Sequence, residues 1–279
     1  MRRAVVAGGG FRAVLLPQSG AGIASLTFQG RDLLRPAREA DIRTHHPSGS
    51  GSFLMAPWTN RLDGGRLRTR GRTWRLPINR PEDRTAIHGF LRDMPWRVVR
   101  RRAGGITLAV AAHRPPWRIA ATFDIGFAAG AATMTLSVVN RGRHAVPVGI
   151  GLHPWFPRRP DSTLRFAATA AFGADARTLP TTAAPATGMH GRLAARLGHD
   201  GHWAGWDGRA RLDGLAITAG GAFRNLHVYV PAQDPVVCVE PVSHVPNVAN
   251  RPDLTAYGPM RPLAPGRAIR GWMRLHCAT

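Results

Sequence analysis

The sequence predicts an all-β protein with the architecture of a β-sandwich. Apolar residues alternate with polar or small ones at a period of two, as in Phe123, Ile125 and Phe127, which is typical of strands with one buried face. Helical signals are weak, because 32 glycines and 23 prolines interrupt the chain too often for long helices. Many short strands at regular spacing favour two packed sheets.

Taken in order, the elements follow from the same pattern. A hairpin is predicted where Gly71 joins residues 67–70 to residues 73–76. The alternating segment 134–138 ends at Asn140-Arg141-Gly142, which is a turn signal. Further strands are predicted at residues 123–127, 226–230, 236–239 and 269–275. The best helical candidate, residues 192–197, is short.

Length and composition predict one globular domain over residues 1–279. Hydrophobic residues make up 44% of the chain and charged residues 19%, so a sizeable core can form and general disorder is excluded. No composition shift or repeat marks a boundary. Cys238 and Cys277 are too few for a disulfide framework and suit a reducing compartment.

The sequence predicts a soluble, cytoplasmic protein with no membrane partner. No apolar run reaches the roughly 20 residues that a membrane helix needs. The N-terminal Ala4-Val5-Val6-Ala7 loosely suggests a signal peptide, but Gly8-Gly9-Gly10 and Arg12 interrupt it.

The strong positive charge does not by itself predict a nucleic-acid partner. The 38 basic and 16 acidic residues give a net charge of +22, which normally suggests polyanion binding. Every basic residue is arginine, and the densest run, at Arg97 and residues 100–102, is short and lacks an aromatic stacking platform. We expect a solvated basic surface that reflects compositional bias, with only weak, salt-sensitive binding to polyanions.

Several classes of site are absent from the sequence. Residues 8–10 lack the spacing of a dinucleotide fingerprint, and a Walker loop needs a lysine, which the chain does not contain. Residues 49–52 form only a broken version of the nucleophile elbow. The pairs His45-His46 and His199 with His202 lack a further ligand at suitable spacing, so no metal site is predicted.

Two polar clusters lie in the N-terminal third. Asn60 and Arg61 precede a turn at residues 63–65. They are either a turn asparagine with a surface arginine or donors to ligand hydroxyls. His88 precedes Gly89, where the lack of a side chain would let another molecule approach. A structural role for the histidine stays open.

Two further clusters end apolar strands. His153 precedes an aromatic pair that includes Trp155, and aromatic faces beside a titratable group suit a sugar site. The alternative is a strand-end histidine capped by the tryptophan. Glu240 ends the strand at 236–239, so it needs a hydrogen-bonding partner or a cleft. Either environment would raise its pKa towards that of a general base.

Taken in order, these clusters resemble the motifs of the aldose 1-epimerase (galactose mutarotase) family. The matching stretches are Asn60-Arg61-Leu62 with Gly65 and Gly71, Leu76-Pro77-Ile78-Asn79, Ile87-His88-Gly89 with Trp96, Gly151-Leu152-His153-Pro154-Trp155-Phe156, Val239-Glu240-Pro241 with Pro246 and Asn250, and Leu263-Ala264-Pro265-Gly266. The resemblance extends from about Phe11 to the C-terminus. Departures from the family pattern are Gly149, Gly151, Asn247 and Arg267.

The resemblance implies a large twisted β-sandwich that binds a sugar on one concave sheet without a cofactor. His153 would be the general acid and Glu240 the general base. The implied sugar-binding residues are Arg61 and His88, with Asn60 in support, Trp155, and an aspartate assigned to Asp200 with Asp207 and Asp213 as alternatives.

The implied function is aldose 1-epimerase activity, the interconversion of α and β anomers of a free hexose by ring opening and reclosure. His153 is expected to be charged, with a nearby carboxylate raising its pKa. Two alternatives stay open: a hexose-6-phosphate epimerase, and a non-catalytic carbohydrate-binding protein on the same fold. The sequence selects neither the sugar nor the oligomeric state.

Overall fold

The fold is described from a computed structural model that covers residues 3–44, 47–128 and 130–277. His45 and His46 lie outside the described residues. Strands dominate, which confirms the predicted all-β class. One α-helix, Glu39–Arg43, was not predicted, and the predicted helical candidate forms a 3-10 turn at Leu193–Arg196. No described helix is long and apolar enough to cross a membrane.

The described residues form 26 strands, numbered here in order. They are β1 Ala4–Gly8, β2 Phe11–Leu16, β3 Gly22–Phe28, β4 Arg31–Asp32, β5 Ser52–Met55, β6 Arg61–Asp63, β7 Arg66–Thr69, β8 Arg72–Arg75, β9 Thr85–Ile87, β10 Arg97–Arg102, β11 Gly105–Arg114, β12 Trp117–Ala128, β13 Ala131–Asn140, β14 Val146–Val148, β15 Gly151–Pro157, β16 Thr163–Phe166, β17 Ala170–Ala174, β18 Pro180–Pro185, β19 Met189–Arg192, β20 His199–Ala204, β21 Arg209–Leu212, β22 Leu215–Gly221, β23 Asn225–Val230, β24 Val236–Val242, β25 Arg261–Leu263 and β26 Ala268–His276.

Two large antiparallel sheets carry most of these strands. The first has 11 strands in the order β1-β2-β3-β5-β15-β24-β23-β20-β17-β18, with β4 added beside β3. The second has nine, in the order β10-β11-β12-β13-β26-β22-β21-β16-β19. Three two-stranded ribbons complete the set, and the ribbon β7-β8 is the predicted hairpin, in which Gly71 has a φ of +70°. The predicted sandwich of two sheets is confirmed.

Period-two alternation decides which side chains form the core and which face outward. In β24, Val237 and Val239 are fully buried in the main core, while Cys238 and Glu240 point to the opposite face. Leu152 in β15 belongs to the same core, so its neighbour His153 faces outward. The outer face at the centre of the 11-stranded sheet is therefore where polar side chains collect.

Candidate active site

A cavity of about 320 Å³ lies over the outer face of the first sheet at its centre. Its polar lining residues come from the loops around β6 and β9 and from strands β15, β20, β23 and β24, and they include Asn60, Arg61, His88, Arg92, His153, Asp200, His227 and Glu240. A larger concavity of about 590 Å³ lies on the second sheet, and its charged lining residues, such as Arg165 and Arg211, are exposed. Buried acid–base groups collect in the smaller cavity, so it is the candidate site.

A histidine and a glutamate from neighbouring strands form the centre of this cavity. Strands β15 and β24 pair with Gly151 opposite Val242 and Trp155 opposite Cys238, which brings His153 and Glu240 face to face. The His153 Nε2 lies 3.1 Å from a carboxylate oxygen of Glu240. The two residues are only 5% and 1% exposed, so each is the other's main polar contact at hydrogen-bonding distance.

Burial shifts the pKa values of this pair in opposite directions. It raises the pKa of Glu240 well above its ordinary 4.5, and the Asp200 carboxylate adds to the rise. It lowers the pKa of His153 well below 6.5, and the positive charges of His227 and Arg92 lower it further. The Asp200 carboxylate raises the pKa of His153, as expected, but desolvation outweighs it, so the expected net rise is wrong for this cavity.

A second carboxylate–imidazole pair lies one strand further along the sheet. His227 is the cross-strand partner of Glu240, and its Nε2 lies 2.5 Å from Asp200 Oδ1. The other oxygen of Asp200 is 3.5 Å from Arg61 Nη1. Burial alone would raise the pKa of Asp200, but the hydrogen bond and charge of His227, together with Arg61, lower it to about 2. Asp200 is therefore a fixed anion above that pH.

Arg61 and His88 enter the cavity from the short ribbon β6-β9, where Arg61 pairs with Ile87. The Nε of Arg61 donates to Asp83 over 2.9 Å, which fixes the direction of the guanidinium. The Nδ1 of His88 accepts a hydrogen bond from the backbone N–H of Asn60 over 3.2 Å. In the neutral ring the proton is then on Nε2, and burial lowers the pKa of His88 well below 6.5, which favours that neutral form.

Asn60 combines the two roles that the sequence left open. It has a φ of +53°, as expected for a turn asparagine, and its side-chain oxygen accepts the N–H of Arg61 over 2.8 Å. Its side chain also lines the cavity.

Gly89 does not serve as a point of approach for another molecule, as the sequence suggested. A Cβ there would lie 2.0 Å from the Ala56 carbonyl oxygen. This glycine makes room for the protein's own backbone, and no ligand is needed to explain it.

Aromatic rings hold the His153 imidazole in place. Phe53 stacks on it with ring centroids 4.3 Å apart, and Trp155 stacks on it at 5.0 Å. The Arg35 guanidinium lies 4.5 Å from the Trp155 ring. The tryptophan is thus a wall of the cavity that orients the histidine, rather than the cap on the strand end that the sequence suggested as an alternative.

The three candidate aspartates occupy different places. Asp200 lies in the cavity. Asp207 accepts a hydrogen bond from the backbone N–H of Arg209. Asp213 accepts hydrogen bonds from the N–H of Thr163 and the hydroxyl of Ser162. Both lie away from the cavity.

Sequence reasoning missed three residues of the site, Phe53, Asp83 and His227. Only His227 carried a signal, because the alternation in β23 puts it on the same face as Tyr229, beside the strand of Glu240.

His244, close to Glu240 in sequence, is a structural residue. Its ring is fully buried, accepts the Thr59 N–H at Nε2 over 3.0 Å, and lies 2.8 Å from the Val245 carbonyl oxygen at Nδ1. It therefore anchors the loop that presents Asn60 and Arg61. A Cβ on Gly149 would lie 2.0 Å from this ring. That contact explains why glycine stands at one of the positions where the chain departs from the family pattern.

Because His244 is buried in its neutral form, it makes the stability of the fold depend on pH. Burial lowers its pKa to about 4 from 6.5, so between these pH values the unfolded chain binds a proton that the folded chain excludes. The contribution of neutral His244 to the free energy of unfolding is fully present above pH 6.5. It is lost as the pH falls towards 4, and its size is on the order of 3 kcal/mol. We expect His244→Gln, which can keep the bond to Thr59, to lose less stability than the wild type between pH 7.5 and 4.5 in urea unfolding. Equal losses would contradict this role.

The chain is similar to known proteins over nearly its whole length. The family model described as Aldose 1-epimerase matches residues 3–202, a segment that ends ahead of Glu240. The protein named Uncharacterized protein YphB of Escherichia coli K12 is 29% identical over 270 residues, covering 87% of this chain and 88% of YphB. A solved structure called a putative aldose 1-epimerase from the same organism has a TM-score of 0.87 at 24% identity and covers 99% of this chain and 98% of its own. A galactose mutarotase-like protein of Clostridium acetobutylicum also has a TM-score of 0.87, at 18% identity, with coverages of 98% and 94%.

Proposed function

The chain belongs to the aldose 1-epimerase family, and we propose that it interconverts the α and β anomers of a free hexose without a cofactor. The observation that carries the proposal is the buried His153–Glu240 pair, with a 3.1 Å contact at the centre of the cavity. A protein that only binds sugar has no need of an acid and a base in direct contact. The fold alone would not distinguish catalysis from binding.

The chemistry needs one proton to leave the sugar while another arrives. The C1 hydroxyl loses its proton to Glu240, the ring oxygen gains one from His153, and the ring opens to the aldehyde. Rotation about C1–C2 and reclosure with the roles reversed then produce the other anomer. Each of these proton transfers typically contributes about 10²–10⁴-fold to the rate.

The shifted pKa values are compatible with this scheme. A carboxylate beside a charged imidazole and a carboxylic acid beside a neutral imidazole contain the same number of protons. Burial favours the second arrangement, and one proton transfer within the pair produces the first. The fixed anion Asp200 raises the pKa of both groups, so it favours the charged imidazole of His153 and disfavours the carboxylate of Glu240.

The remaining cavity residues would hold the sugar hydroxyls. Arg61, fixed by Asp83 and Asp200, offers donors in a rigid fork. Neutral His88 offers its Nε2 proton, and the Asp200 carboxylate accepts hydrogen bonds. Asn60 supports Arg61, and Trp155 forms the wall beside the reacting pair.

Polarimetry tests the proposal directly. Crystalline α-D-glucose and α-D-galactose are dissolved fresh, and the approach to anomeric equilibrium is followed with and without the protein. We expect acceleration that is proportional to protein concentration on at least one free hexose. A rate equal to the spontaneous one on both free sugars and on glucose 6-phosphate would overturn an epimerase activity and leave a carbohydrate-binding protein.

A phosphorylated hexose is the second candidate substrate, because two further arginines line the cavity. Arg80 and Arg92 both border the space beside His88, and a guanidinium matches the geometry of a phosphate. Comparing kcat/KM for glucose and glucose 6-phosphate separates the two candidates. A large preference for the phosphorylated sugar would identify the second one.

The pair also predicts the pH dependence of the reaction. We expect a bell-shaped profile of kcat/KM. The rate should fall on the acid side with a midpoint below 6.5, the ordinary pKa of histidine, because the pKa of His153 is lowered. On the basic side it should fall with a midpoint above 4.5, the ordinary pKa of glutamate, because the pKa of Glu240 is raised. Below the acid limb the pair holds an extra proton and offers no base. Above the basic limb it has lost the mobile proton and offers no acid. The rate is measured against matched buffer blanks, and an acid limb above pH 6.5 would contradict the assignment.

A further inference from the structure

A cysteine lies beside the proposed acid–base pair. Cys238 is two residues before Glu240 in β24 and faces the same side of the sheet. Its cross-strand neighbours are Trp155 and Tyr229, both of which line the cavity. The side chain is fully buried, and the cysteine forms no disulfide. The proposed reaction does not use it.

Three different ligand types meet at this point. One ligand atom each from His153, Cys238 and Glu240 lies within 4.8 Å of the other two. Nitrogen, sulfur and carboxylate oxygen together form a donor set that zinc accepts in proteins. The sequence contained no metal-binding spacing because these residues lie on two separate strands, and only the pairing of β15 with β24 brings them together.

The distances are close to those of a tetrahedral metal. Zinc with these ligands holds its donor atoms about 3.3–3.6 Å apart. The His153–Glu240 contact of 3.1 Å is already near that range, and the Cys238 sulfur lies within 4.8 Å of both ligand atoms. Among the described residues, His153 Nδ1 has no hydrogen-bond partner. A metal-binding imidazole is usually oriented by a hydrogen bond at its other nitrogen; here the stacking of Phe53 and Trp155 on the ring orients it instead.

Charge and access also fit a divalent cation. A thiolate and a carboxylate together balance a charge of +2. The thiol proton and the one proton shared by His153 and Glu240 are both released to solvent as the metal–ligand bonds form. The cavity over His153 and Glu240 provides the route in and leaves the fourth coordination position to water. A further carboxylate, that of Asp200, lines the same cavity.

We propose that His153, Cys238 and Glu240 form a binding site for a thiophilic divalent cation such as Zn²⁺, and that the bound ion blocks the cavity. Binding stands on the ligand geometry alone, whereas the blocking effect rests on the proposed epimerase function. An ion held by the acid and the base leaves neither free to exchange a proton with a sugar. The metal is thus an inhibitor that competes with the substrate, not a cofactor of the reaction.

Cobalt(II) provides a direct readout of binding that does not depend on activity. We expect titration of the wild type with Co²⁺ to give a near-ultraviolet thiolate-to-cobalt charge-transfer band that Zn²⁺ abolishes. Cys238→Ser and Cys238→Ala should lose the band, whereas Cys277→Ser, which removes the other free cysteine, should keep it. Circular dichroism confirms that each variant is folded. Absence of the band in the wild type, or its loss only in Cys277→Ser, would overturn the proposal.

Inhibition is measured in a separate experiment. We expect Zn²⁺ to inhibit anomer exchange by the wild type and by Cys277→Ser, with the inhibition constant raised about 10–100-fold or more in Cys238→Ser. Equal inhibition of all three proteins would overturn a role for Cys238. If no hexose is turned over, the cobalt band still decides whether the metal site exists, so failure of the proposed function and failure of this site are distinguished.

Discussion

Replacing Glu240 with glutamine is expected to lower the rate of anomer exchange at least about 100-fold with the fold retained. Glutamine has nearly the same shape and can still hydrogen-bond to His153, but it cannot take up the proton of the C1 hydroxyl. Glu240 is 1% exposed and lies in contact with His153, so no solvent carboxylate can take its place. The loss should appear in kcat, because the proton is transferred in the transition state.

The measurement compares polarimetric rates of the wild type and Glu240→Gln at equal protein concentration. Glu39→Gln is a matched control, because Glu39 is exposed and lies in the short helix away from the cavity. We expect the control to keep the wild-type rate. A Glu240→Gln protein with near-normal turnover would exclude Glu240 as the general base.

The second large effect is expected for His153→Asn. Asparagine cannot deliver a proton to the ring oxygen, so we again expect a loss of at least about 100-fold. His190→Asn is the matched control, since His190 is exposed on the second sheet. The substitution also removes the ring between Phe53 and Trp155, so the free energy of unfolding is measured alongside the rate.

The double variant distinguishes a functional pair from two independent residues. If one proton is shared between His153 and Glu240, removing either residue disables both transfers, and the double variant should lose little more activity than the worse single variant. If the two losses multiply, the residues act independently and the shared-proton scheme is wrong.

Much of the site could be predicted from the sequence, for a definite physical reason. His153 and Glu240 stand beside apolar strand segments, and a titratable side chain there needs a hydrogen-bonding partner or a cleft, which made both of them candidates. The order of the motifs then suggested the acid, the base and their polar neighbours. The resemblance favoured Asp200 over Asp207 and Asp213, but its position in the cavity depends on the pairing of β20 with β23, which local sequence does not show.

What the structure added depends on strands that are distant in the chain. His227 and Cys238 became neighbours of the pair through the order β15-β24-β23-β20. Gly89, interpreted as a point of approach for another molecule, instead contacts the backbone of Ala56. Tertiary burial also reversed the expected shift of the His153 pKa, since desolvation depends on everything that surrounds a group and not on its neighbours in sequence.

The sequence by itself determined the all-β class and the resemblance in motif order, because both follow from local alternation and residue identity. Only the tertiary structure decided the contact of His153 with Glu240, their protonation, the structural role of His244 and the gathering of three metal ligands. These properties arise from the register of strands that are remote in sequence and from the exclusion of water between them.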